Sequence, residues 1–224
     1  MKNKPFNWPV VGFLLFMAGI PGLPAIFLLA FVAIGPSSGD GISSMINVLH
    51  FGTPTAVFVH GGAGILFFLT MPFQFSPAIR IKNLKLHKAG GRIALLSGYV
   101  MGLSAIWMHH VLLPDVFGNR YVVLVLMSIA MCITFSLALW HIINGNVQSH
   151  RKWMIRAVAI TLAAVTPLFV EAIIFLLFDQ FENIFTVLIQ FHNDYHRLLG
   201  IAIDLTIVEY IFLNEKFKQE AQSD

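Results

Sequence analysis

The chain has 224 residues, of which 57% are hydrophobic and only 11% charged, with a mean hydropathy of +0.78 and a net charge of +3. Soluble domains carry about 25% charged residues, so composition excludes an ordinary soluble globular domain and makes the lipid bilayer the solvent this sequence fits. The single cysteine, Cys132, lies in an apolar run as a small buried hydrophobe and excludes a disulfide within the chain.

A spanning helix needs about 20 mostly apolar residues. That ruler gives about six spans, and so an all-α integral membrane bundle in a single domain. The first span, 8–34, follows Lys2 and Lys4 and contains Pro21 and Pro24, which are expected to kink or interrupt it. Its apolar run exceeds the usual ~7–15-residue core of a signal peptide, so it is expected to be a retained anchor. Residues 35–49 form a loop rich in Gly, Ser and Pro. The second span, 51–75, carries His60-Gly61-Gly62-Ala63-Gly64. A polar, basic hairpin follows over 72–92 and leads into the third span, 86–113, which ends in His109-His110.

The fourth span, 121–143, comes after a tight connection at 114–120, and a turn at 144–149 leads to the fifth, 150–178, with Pro167 and Glu171 in its second half. The apolar run 184–191 is too short to cross a bilayer, so an interfacial or re-entrant helix is expected there. The sixth span is 195–213, and the polar tail from Asn214 onward is expected to fray.

Lysine and arginine placement sets the expected orientation. With six spans, one side receives Lys2, Lys4, Arg80, Lys82, Lys85, Lys88, Arg92, Arg151, Lys152, Arg156, Lys216 and Lys218, and the other only Arg120 and Arg197. Both termini are then expected to be cytoplasmic. The basic balance is explained by orientation, and no nucleic-acid partner is called for.

Ionisable groups inside spans are costly and mark candidate sites. His60 and Asp204 each lie about nine residues into their spans, roughly 13 Å deep, and meet if the second and sixth helices are neighbours. Glu171, His109, His110, His192 and His196 complete an outer polar cluster. At the inner boundary lie His87 and His150, with Arg92 and Arg156 one to two turns deeper, and Glu209 as a partner for either arginine. The glycines after His60 also allow close helix packing.

The hairpin run Pro72-Phe73-Gln74-Phe75, then Arg80, Leu86-His87-Lys88 and Gly91-Arg92, resembles a family of bacterial polytopic membrane proteins catalogued as domain of unknown function 2306. The run His150-Arg151-Lys152-Trp153-Met154-Ile155-Arg156 and His60-Gly61-Gly62 fit the same family. This resemblance implies a helical bundle in a bacterial inner membrane without assigning an activity, and it points to His60, His87, Arg92, His150 and Arg156 as site positions.

Three function classes fit these features. A b-type haem or quinone-linked electron-transfer protein needs histidines from facing helices at one depth and cations for the propionates. His87 with His150, or His60 with His109, His110 or His196, are the candidate ligand pairs, and Arg92 and Arg156 the cations. A proton-coupled carrier draws on His60, Asp204 and the prolines of the first span. A non-catalytic assembly or regulatory subunit, bound to a membrane protein partner, needs only the bundle and its basic face. No His-Glu-x-x-His, nucleophile elbow, P-loop or dinucleotide fingerprint is present.

Overall fold

The computed structural model describes residues 6–35 and 48–220, and Lys2, Lys4, the 36–47 part of the expected loop and the last four residues lie outside them. Every regular element among the described residues is a helix. They form α1 (Trp8–Ile34), α2 (Val48–Gly52), α3 (Pro54–Thr70), α4 (Pro77–Lys82), α5 (Leu84–Leu112), α6 (Asn119–Ile143), α7 (Val147–Leu162), α8 (Thr166–Phe178) and α9 (Glu182–Glu220). A 3-10 turn at Pro72–Phe75 joins α3 to α4.

Four helical stretches are long and apolar enough to cross a membrane, namely Trp8–Ile34, Pro54–Phe75, Leu84–Leu112 and Asn119–Ile143, and α7 with α8 makes a fifth if that bent pair is one span. Large apolar side chains stay uncovered along them. Phe13, Phe16, Leu23 and Phe27 of α1 are 58–63% exposed, which suits lipid and not water. The expected sixth span lies inside α9 and is not among these stretches, because Arg197, Asp204 and Glu209 all fall between 195 and 213.

Three expectations change. Helix α1 continues through Pro21 and Pro24, as membrane helices can when neighbouring groups satisfy the freed carbonyls. The fifth expected span is broken, since α7 and α8 are bent by 46° across 163–165. Pro167 explains the position of the break. It sits in the first turn of α8, where its missing N–H costs no helical bond, and it cannot continue the turn before it. The bonds across the break tighten accordingly, with Val165 N–H donating to the Leu162 carbonyl at 2.7 Å. Lastly, the run 184–191 is not a separate helix. It is the start of α9, which continues unbroken to Glu220 and takes in most of the polar tail.

The chain divides into two compact units, residues 1–116 and 117–224. In the first, α3 packs on α1 and α5. The α5 face that does so is built from Ala94, Ser97, Gly98, Met101 and Ser104, at helical spacing and mostly small. Ser97 returns its hydroxyl to the Ile93 carbonyl at 2.7 Å, so the face hides no unpaired donor. In the second unit, α6, α7 and α9 pack together, and α9 also packs on α8.

Candidate functional site

The first unit holds His60, His87, Arg92, His109 and His110. His60 is half-buried on α3, and its Nδ1 lies 3.1 Å from the Met101 carbonyl and 3.1 Å from the Ser104 hydroxyl of α5. A carbonyl only accepts, so Nδ1 carries the proton and Nε2 the lone pair. The glycines after His60 split between two faces. A Cβ on Gly61 would stand 3.1 Å from Leu29 of α1, and one on Gly64 would stand 3.6 Å from the Met101 sulfur. The His-Gly-Gly-Ala-Gly run therefore packs α3 between its two neighbours.

The basic hairpin closes on a contact that the residues alone did not suggest. The Gln74 amide lies where side chains on Gly90 and Gly91 would be, 2.6 Å and 3.3 Å from their ideal Cβ positions. The amide acts as a clamp, since its Nε2 also donates to the Thr70 carbonyl at 3.4 Å. Glycine at both positions is what admits Gln74, and this joins the Pro-Phe-Gln-Phe and Gly-Gly-Arg motifs physically. His87 is half-buried in the first turn of α5, which Asn83 caps through its side-chain oxygen to Leu86 N–H at 2.9 Å. Arg92 is exposed. His109 bonds through Nε2 to the Val116 carbonyl at 2.8 Å, and its ring meets His110 edge-on at 6.2 Å.

The second unit holds His150, Arg156, Glu171, His196 and Asp204. His150 donates from Nδ1 to the Ala138 carbonyl of α6 at 2.8 Å, which again leaves Nε2 with the lone pair. Of the two arginines offered to Glu209, Arg156 takes it, with Nε and a terminal nitrogen 2.6 Å and 2.9 Å from the carboxylate oxygens. Its guanidinium also lies 4.8 Å over Trp153 and 5.2 Å over Phe212. Glu171 and Asp179 border an open groove along α8 with Leu168 and Phe175.

A further set of contacts surrounds the break between α7 and α8. Helix α9 docks on it at three points. Gly200 approaches so closely that a Cβ there would stand 2.5 Å from the Ala163 carbonyl oxygen. His192, 4% exposed, donates from Nε2 to the Pro167 carbonyl at 3.1 Å. Thr166 faces both oxygens of Asp204 at 2.9 Å each. The hydroxyl has one proton, so it donates fully to only one of those oxygens. Among the described residues no Lys, Arg or His pairs with Asp204. Sequence reading singled out Asp204 but missed Thr166. The available signal was Thr166-Pro167, a hydroxyl placed in the first turn of a helix that a proline restarts.

Among the described residues no three His, Cys, Asp or Glu side chains converge as a metal site. No curated protein and no solved structure matches the chain. The model of the predicted membrane protein family DUF2306 matches residues 57–192, which take in both hairpin motifs, His60 and the break, and extend to His192. That match covers more than half of the sequence, and the chain belongs to this family of predicted multi-pass membrane proteins.

Proposed function

We propose that the protein is a proton-coupled carrier of a small molecule, with Asp204 as its proton-binding group. The observation that carries this reading is the Asp204–Thr166 contact at the α7–α8 break. Broken helices within membrane domains place polar groups and unpaired backbone where a substrate or coupling ion is handled. Asp204 has one hydroxyl proton for two oxygens and, among the described residues, no cationic partner, and a proton bound to the second oxygen removes its need for a donor. A carboxyl that alternates between these two states at a hinge has the chemistry for coupling proton uptake to a change in bend. In this reading α9 also crosses the membrane, as a sixth span, and both termini face the cytoplasm of a bacterial inner membrane, as the twelve-to-two distribution of Lys and Arg favours.

Proteoliposomes under an imposed proton gradient test it. The wild-type protein is expected to dissipate the gradient faster than Asp204→Asn. Equal rates overturn the reading.

A second reading, a b-type haem or quinone-linked electron-transfer protein, rests on a different observation. His60 and His150 each give Nδ1–H to a backbone carbonyl and keep a lone pair on Nε2, which is how a metal-ligating histidine is held and oriented. Haem, when bound, supplies a one-electron couple, and His60 or His150, each within its own unit, would hold it through Nε2. Arg156 is already engaged by Glu209, so Arg92 is the better cation for a propionate. Dithionite-reduced protein from haem-replete cells should then show a sharp α-band that His60→Ala or His150→Ala removes. Colourless protein overturns this reading.

A further inference from the structure

The two arginines that orientation leaves on the sparse side, Arg120 and Arg197, belong to one place in the second unit. Asn119 in the first turn of α6 donates from its side-chain nitrogen to the Tyr195 hydroxyl of α9 at 3.1 Å. That bond ties the turn carrying Arg120 to the turn carrying His196 and Arg197. Arg120 follows Asn119 directly and Arg197 lies two residues beyond Tyr195, so this bond brings both cations and His196 to one end of the unit. One turn earlier His192 stands beside His196, their rings 5.8 Å apart.

The opposite end of the same unit shows how such charges are ordinarily settled. There Arg156 is held by Glu209 and Arg151 by Glu215 at 3.1 Å. Arg120 and Arg197 have no such relief. Among the described residues neither has a carboxylate within 4.0 Å or a hydrogen-bonded acceptor. Two cations gathered without an anion repel, and a guanidinium partly withdrawn from water needs acceptors for its fork of donors. A second observation points the same way. His192 uses Nε2 on Pro167, and its Nδ1 is buried with no partner. A buried polar atom left so is costly, and a water of hydration on an anion held beside it brings the donor it lacks.

We propose that Arg120, Arg197, Tyr195 and His196 form a binding site for a phosphate-type oxyanion at the start of α6. The guanidinium forks match tetrahedral oxyanion geometry two bonds at a time. The Tyr195 hydroxyl accepts from Asn119 and keeps its own proton to donate. The cations also outweigh any cationic ligand, so the His192–His196 pair is read as part of an anion site and not as a metal site. The proposal is independent of the carrier reading and does not use Asp204.

The same chemistry comes from free phosphate or from a lipid headgroup, and the full-length protein distinguishes them. Melting is measured in a neutral detergent with inorganic phosphate against chloride at equal ionic strength, and again in nanodiscs of phosphatidylcholine with and without phosphatidylglycerol. A rise with inorganic phosphate assigns a soluble anion, and a rise only with phosphatidylglycerol assigns a headgroup. In either case the rise is lost in R120Q/R197Q and kept in R151Q, which removes an arginine from the other end. Should the double variant fail to fold, R120Q alone changes an exposed side chain, and the phosphate or lipid fraction for half the effect should increase about tenfold. No rise in either arm, or a rise undiminished in R120Q, overturns the proposal.

Discussion

Gly200 of α9 lies against the Ala163 carbonyl, and a methyl group there would come within 2.5 Å of the oxygen and 3.0 Å of the Ala163 Cα. Both are backbone atoms, so no side chain can swing aside to make room. The carbonyl is available because the residue four positions on, whose N–H would bond it in a continuous helix, is Pro167, which has none to donate. Close approach and broken helix thus explain each other, and Asp204 sits one turn further along α9, opposite Thr166.

Gly200→Ala is therefore expected to force α9 off the break, at a cost of about 1–3 kcal/mol. The melting temperature of the detergent-solubilised protein reads this directly. Gly62→Ala is the control, because nothing lies within 4 Å of its Cβ position. There the helix-favouring methyl should leave stability unchanged or raise it slightly. Equal losses in the two variants would contradict the account of the break.

Thr166→Val removes the one hydroxyl that faces Asp204 and should destabilise the protein by about 1–3 kcal/mol. Once Asp204 is already asparagine, the same change should cost a different amount, because the two groups share one interaction. A double-mutant cycle on melting in urea or heat measures the difference. Strict additivity would mean that the pair is not coupled.

The Arg156–Glu209 pair is partly open, with side-chain exposures of 24% and 48%. Screening then limits the loss in Glu209→Gln to about 1 kcal/mol or less. Arg156→Ala should cost more, since it also strips the guanidinium from Trp153 and Phe212. The ordering of the two melting temperatures decides it. If the two variants melt together, the aromatic contacts contribute nothing.

Gln74 offers a test of the hairpin motifs. Gly90→Ala would place a methyl 2.6 Å from its amide nitrogen, the far end of a flexible side chain. Displacing Gln74 frees the hairpin from α5, and limited proteolysis between Pro72 and Arg92 should speed up several-fold. Gln74→Ala should produce the same fragment pattern. An unchanged digest in both would show that the clamp does not order the hairpin.

Much of this architecture was readable from the residues. Apolar runs marked 86–113 and 121–143, and α5 and α6 occupy them. The features that escaped have a common physical cause. The break falls in Ala163-Ala164-Val165 just before Pro167, and although the proline marks the place, what docks on it is Gly200, 37 residues downstream. Continuity of α9 through His192-Asn193-Asp194 was hidden for the same reason. Such a polar run reads as a helix end until His192 is seen to have the Pro167 carbonyl as its partner. Candidate residues were named one at a time from depth and charge, whereas their partners, Thr166, Met101, Ala138 and Asn119, are ordinary residues in a one-dimensional reading.

Infrared titration of Asp204 tests the central claim most directly. A carboxyl that binds and releases a proton contributes a carboxylic-acid C=O band in the difference spectrum between acidic and alkaline pH. The account predicts such a band in the wild-type protein in lipid, shifted in Thr166→Val and missing in Asp204→Asn. Wild-type and Asp204→Asn difference spectra that superimpose across the carboxylic-acid region would contradict it.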